Sequence, residues 1–140
     1  MEQLKACYDR YLKEAEEVWK NRPAWDGALG IGQSTKDHPC HMAFLRGVER
    51  WVEQFLEGEP TQETAEAAMM LVVITPEHYR GQFPYWPLFA AHGLVRPLVE
   101  LVSPDFAGQM RVWYDGHLPR RERLPVHKDL YKLLKKREKA

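Results

Sequence analysis

Apolar side chains recur at steps of three and four along most of this chain. That rhythm narrows its fold more than any other feature, because only a helix lays residues so spaced along one face. From Glu2 to Asn21 the stripe is Leu4, Tyr8, Tyr11/Leu12, Ala15 and Val18/Trp19, with Lys and Glu residues filling the other positions. Pro23 ends it, and Arg22 to Lys36, with three glycines and no sustained period, reads as a long connecting loop.

A second stripe, His41, Phe44/Leu45, Val48, Trp51/Val52 and Phe55/Leu56, runs to Gly58, a natural stop. Asp37 or His38 can cap its start, with Pro39 in the first turn where a missing N–H costs nothing. Thr61 opens a third helix whose stretch from Ala65 to Ile74 is so uniformly apolar that burial on nearly all sides is expected. Trp86 onward gives a fourth, through Leu88, Phe89, His92 and Val95, which Gly93 and Pro97 should kink or divide. Ser103-Pro104-Asp105 combines a capping hydroxyl, a first-turn proline and an acid at the positive helix end. It therefore starts a fifth helix through Phe106, Met110, Trp113/Tyr114 and His117. A last segment sets Val126, Leu130 and Leu133/Leu134 against Lys128, Lys132, Lys135 and Lys136.

The expected architecture is an all-α, single-domain bundle of five to six helices. Its structural alternative is an α+β fold with a small two-stranded sheet built from Leu71 to Thr75 and Met110 to Tyr114, since both segments carry some strand propensity. A chain of 140 residues with sixteen aromatic side chains can bury a real core.

The formal charge of zero conceals a division. Residues 120–140 hold nine bases against three acids, a net of +6, so residues 1–119 carry −6. The basic C-terminal segment, with its short amphipathic helix, reads as part of the same domain as the acidic body. Arg120-Arg121-Glu122-Arg123 and the lysines beyond it offer ionic contacts to nucleic acid phosphates. The nearer target is the Glu-rich face of the first helix, in the same chain or in a second subunit. The opening Met1-Glu2-Gln3-Leu4-Lys5 has no apolar leader, and the longest apolar run, Ala67 to Ile74, is too short to span a bilayer. With only Cys7 and Cys40 present, free thiols in a cytoplasmic protein are expected, without a membrane partner.

His38-Pro39-Cys40-His41 is the one stretch that concentrates reactive groups. Residues three apart share a helix face, so His38 and His41 can turn inward together and meet His92. Three neutral imidazoles suit a divalent transition metal such as zinc, although neither His-Glu-x-x-His nor Glu-x-x-His spacing is present. Cys40, in the first turn, would have its thiolate favoured by the helix dipole, with His41 as proton acceptor. Weighed against these is the plainer reading of capping or hydrogen-bonded core histidines and a small buried thiol. Gly27 to Ser34 has the glycine spacing of a phosphate loop but Gln33 where lysine is required, and no preceding strand. Phe83 to Trp86 can either present aromatics to a partner or staple the following helix, and Trp25 can fill a gap beneath the long loop.

No catalytic pattern is complete, so function is not readable here as a named activity. The expectation is a non-catalytic soluble binding or assembly module, partnered by itself or another protein and needing no cofactor. The alternative is a metal- or thiol-dependent enzyme or sensor using His38, His41 and His92, with Cys40 as a further candidate.

Overall fold

The computed structural model describes residues 1–21, 38–74 and 86–140. Among these residues six α-helices pack with a long 3-10 segment: α1 Glu2–Lys20, α2 Pro39–Glu57, α3 Gln62–Val73, α4 Trp86–Ala90, the 3-10 segment Ala91–Leu101, α5 Pro104–His117 and α6 Pro125–Glu138. Among the described residues there is no strand. Leu71 to Val73 lie in α3 and Met110 to Tyr114 in α5, so the sheet alternative is not supported; Thr75, its last residue, lies outside the described residues. The reason is local. Thr61 Oγ1 accepts the backbone N–H of Thr64 and Ser103 Oγ that of Phe106, and each cap commits the residues after it to helix.

The stripes point where their spacing requires. Leu4, Tyr8, Tyr11 and Ala15 of α1 are buried against α2, where Phe44 takes Tyr8 edge-on at 4.9 Å and stacks on Tyr11 at 4.6 Å. One expectation fails: α3 is not buried all round, since Ala67 and Met70 face outward and Met70 is 48% exposed.

The break expected near Gly93 and Pro97 takes the form of a change in helix type. Eleven successive residues follow the tighter 3-10 path, far beyond the three or four at which such runs usually stop. Pro97 has no N–H to give an α-helical bond, and its ring would collide with the carbonyl of Gly93 in α geometry. That carbonyl instead accepts Nε of Arg96 at 3.0 Å, and the carbonyl of Val102, beyond the segment's end, accepts Nε of Arg137 at 2.9 Å. Gly93 also lets α6 come close: a Cβ there would lie 3.2 Å from a methyl of Val126.

The 3-10 segment is the hub of the bundle, touching α2, α3, α4 and α6. The C-terminal helix does not lie on the Glu-rich face of α1. It packs chiefly on α5 and the 3-10 segment, burying His127, Leu130 and Leu134 in the common core. Its charges find partners there as well. Arg111 of α5 grips Glu138 through two nitrogens, one at 3.1 Å, and Asp115 receives Arg111, Arg123 and the Tyr131 hydroxyl.

Buried tyrosines give an internal contrast. The Tyr8 hydroxyl is buried with no hydrogen-bond partner among the described residues, whereas Tyr114 shares a hydrogen bond with His92. Tyr8→Phe should leave stability unchanged or raise it by up to about 1 kcal/mol, and Tyr114→Phe should lower it by about 1–3 kcal/mol, as read by urea unfolding. Equal losses in the two variants would contradict this assignment.

Candidate functional site

The three histidines singled out by the chain pattern go to three different environments. His38 is exposed at the start of α2, where its Nδ1 accepts the backbone N–H of Cys40 at 3.1 Å. Its ring is thus occupied as a helix cap. His41, one turn on, is buried and joined to the Tyr11 hydroxyl by a 2.9 Å hydrogen bond at Nδ1, with the Trp86 ring 5.6 Å away. His92 of the 3-10 segment is buried too, but its Nδ1 meets the Tyr114 hydroxyl of α5 at 2.6 Å. Among the described residues no group of three His, Cys, Asp or Glu side chains is arranged to hold a metal ion.

The imidazole that does meet His92 is one the stripe analysis passed over. His127 is 1% exposed, and its ring stands edge-on to His92 with centroids 4.8 Å apart. Phe89 packs edge-on to it at 5.9 Å, and Tyr114 completes the cluster. The signal was present: His127 stands three and seven residues before Leu130 and Leu134, the buried stripe of α6.

Hydrogen bonding fixes the tautomer of His127. Nδ1 accepts the backbone N–H of Leu124 at 3.0 Å and therefore carries no proton in the neutral ring, which places the proton on Nε2. Nε2 is buried without a hydrogen bond of good geometry among the described residues. Burial pushes His92 down to about 3, and the adjacent His127 adds to this. Burial likewise takes His127 down to about 4; the Phe89 carbonyl opposes the shift and Arg123 reinforces it. Arg123 lies over the Tyr131 ring at 4.6 Å and places its charge beside the pair.

At both thiols burial disfavours the thiolate. Cys40 is buried, and burial raises its pKa, with Glu14 adding to the shift and a backbone hydrogen bond at its own amide opposing it. Its sulfur lies 3.9 Å from Nδ1 of His41, the nitrogen that Tyr11 already engages. Cys7, half-buried, is raised by burial as well, with Arg10 opposing, and its sulfur is 3.8 Å from the carbonyl of Phe44. Both cysteines are free.

Two concave surfaces among the described residues are of a size to bind. One is a groove of about 1230 Å³ between α2 and α6 with the 3-10 segment as its base; the other, about 590 Å³, lies between α1 and α2. The glycine-rich stretch Gly27 to Ser34, Trp25, His78 and Phe83 to Tyr85 lie outside the described residues. Among the described residues no helix is long and apolar enough to cross a membrane. No family model matches the chain, and comparison with curated proteins and with solved structures finds no match.

The buried imidazoles set a pH response. An unfolded histidine takes up its proton near pH 6.5, whereas the native rings refuse it until about pH 4 and 3. Stability contributed by the neutral rings is therefore intact above about pH 6.5 and is lost as pH falls below it. His92 alone accounts for about 2 kcal/mol by pH 5. Two histidine ring signals that do not shift between pH 8 and 5 in an NMR titration, with a falling urea midpoint over the same interval, are the expected result. For the thiols, iodoacetamide at pH 7.4 should modify both cysteines several-fold more slowly than free cysteine, with rates still rising above pH 9. Fast, pH-independent labelling of Cys40 would restore it as a nucleophile.

Proposed function

We propose that this chain is a non-catalytic protein-binding module that receives an amphipathic helix of a partner protein in the groove between α2 and α6. The supporting observation is the distribution of charge and apolar surface in that groove. Leu56 and Leu133 stand on opposite walls, each more than a third exposed, and Leu94 and Pro97 of the 3-10 segment lie between them. Above this floor the α2 wall is acidic through Glu49 and Glu53, and the opposite wall is basic through Lys136 of α6 and Lys139 just beyond it. None of these four has an ion-pair partner among the described residues, while Glu138, on another face of α6, is held by Arg111.

Such a trough matches a helix carrying leucine-like residues at i, i+3/i+4 and i+7, basic residues on one flank and acidic residues on the other. The walls of opposite sign also fix which flank faces which helix, giving orientation as well as attraction. The span from Glu49 to Leu56 is about two helical turns, roughly 10 Å, so a peptide of three to four turns would fill it. The unactivated thiols, with histidines engaged as a cap or as core hydrogen-bond partners, are in keeping with a surface that binds rather than reacts.

A displayed library of amphipathic helices with randomised flanks tests this directly. Enriched peptides should carry bases on one flank and acids on the other. Leu133→Asp or Leu56→Asp should weaken the best of them by about tenfold or more, since each buries a charge in the apolar contact. A Glu49→Lys, Glu53→Lys variant should reverse the preferred sign of the facing flank. Failure to enrich any helix, or indifference to the leucine substitutions, overturns the reading. Concentration-dependent dimers abolished by Leu133→Asp would overturn it as well, by making a second copy of this chain the occupant.

A further inference from the structure

The smaller groove carries chemistry that neither the histidines nor the α2/α6 surface uses. Arg10 of α1 and Arg46 and Arg50 of α2 all line it, against one acid, Glu14. Within residues 1–119, which carry a net −6, this groove is locally +2. Three of the eleven bases in that acidic body are gathered at one concavity, and none of them makes an ion pair among the described residues. Even Glu14, one turn beyond Arg10, stays outside ion-pair distance. The other arginines around α5 and α6 behave differently, since Arg111 and Arg123 are tied to Glu138 and Asp115.

The groove lies along a seam where the two helices approach closely. Gly47 faces Cys7 across the seam, where a Cβ would lie 2.7 Å from the sulfur. Phe44 and Trp51 supply an apolar base, and Trp51 is braced by stacking on Phe55 at 5.1 Å. Gln3 and Gln54 add amide groups to the lining.

The geometry points to a binding site for a small organic phosphate monoester between α1 and α2, its dianionic head held by Arg10, Arg46 and Arg50 and its organic part over Phe44 and Trp51. A monoester phosphate carries about −1.5 to −2 at neutral pH, which matches the local excess of two positive charges. Planar guanidinium groups suit its oxygens through paired hydrogen bonds, better than lysine would. A cavity of 590 Å³ lies within the range of small-molecule sites.

The test is calorimetric titration of the full chain with phenyl phosphate at physiological salt, alongside inorganic phosphate and phenol. Phenyl phosphate should bind more tightly than inorganic phosphate, which has the head without the ring, and phenol should not bind. Arg46→Gln and Arg50→Gln should each weaken phenyl phosphate by about tenfold, the loss of one charge-assisted bond pair. Arg→Lys at the same positions should recover only part of that. Lys13→Gln, which removes an exposed α1 charge outside the groove, should change nothing. All these positions lie on helix surfaces, so circular dichroism of each variant should match the parent. No binding by the parent at about 1 mM ligand, or equal binding by an Arg10→Gln, Arg46→Gln, Arg50→Gln variant, overturns the proposal. A single-stranded oligonucleotide that uses the same arginines and binds more tightly than phenyl phosphate would overturn it too, because the ligand would then be a polymer. The helix-binding surface shares no residue with this groove, so either result leaves the other standing.

Discussion

An imidazole removed from water must find a hydrogen-bond partner, and two such obligations tie this bundle together. Tyr11 reaches His41 from α1 to α2, and Tyr114 reaches His92 from α5 to the 3-10 segment. Each bond joins elements that hydrophobic burial alone could slide past one another, because apolar contact is non-directional while a 2.6–2.9 Å bond is not. The cost of leaving either pair unmade fixes which residues face each other across the seam. His127 extends the second tie to α6 by placing its ring against His92 and its Nδ1 on the backbone of Leu124.

These ties also account for the surroundings of the His-Pro-Cys-His stretch at the start of α2. One histidine has its Nδ1 engaged as a cap and the other its Nδ1 in a core bond, and the thiol between them is buried where its anion is disfavoured. The exposed chemistry lies elsewhere, on the walls of two grooves. There the leucines and unpaired charges lack neighbours of the kind that satisfy Arg111, Asp115 and Glu138 between α5 and α6.

The helices were legible because their signals are local. Thr61 and Ser103 announced their caps, and the spacing of Leu4, Tyr8 and Tyr11 announced the buried side of α1. What resisted reading depends on residues far apart in the chain. Arg10 and Arg46 are 36 positions apart, and nothing in the chain pattern joins them until α1 lies beside α2. The resting place of α6 was decided by Leu130 and Leu134 filling the core next to the 3-10 segment, a packing matter that the charge difference between tail and body does not encode. His127 was in reach, since it stands on the apolar stripe of its helix; the lysines around it mark that helix as a charged one and mask a polar residue on its buried side.

A 3-10 path advances about 2.0 Å per residue against 1.5 Å for an α-helix, so the eleven residues from Ala91 to Leu101 cover roughly 22 Å rather than roughly 16 Å. The same stretch of chain thereby becomes a longer strut, able to hold α2 and α6 on either flank at once. Pro97 takes part in that choice, since its ring and its missing N–H bar the α-helical bond to Gly93, and the same residue stands in the base of the trough that α2 and α6 wall.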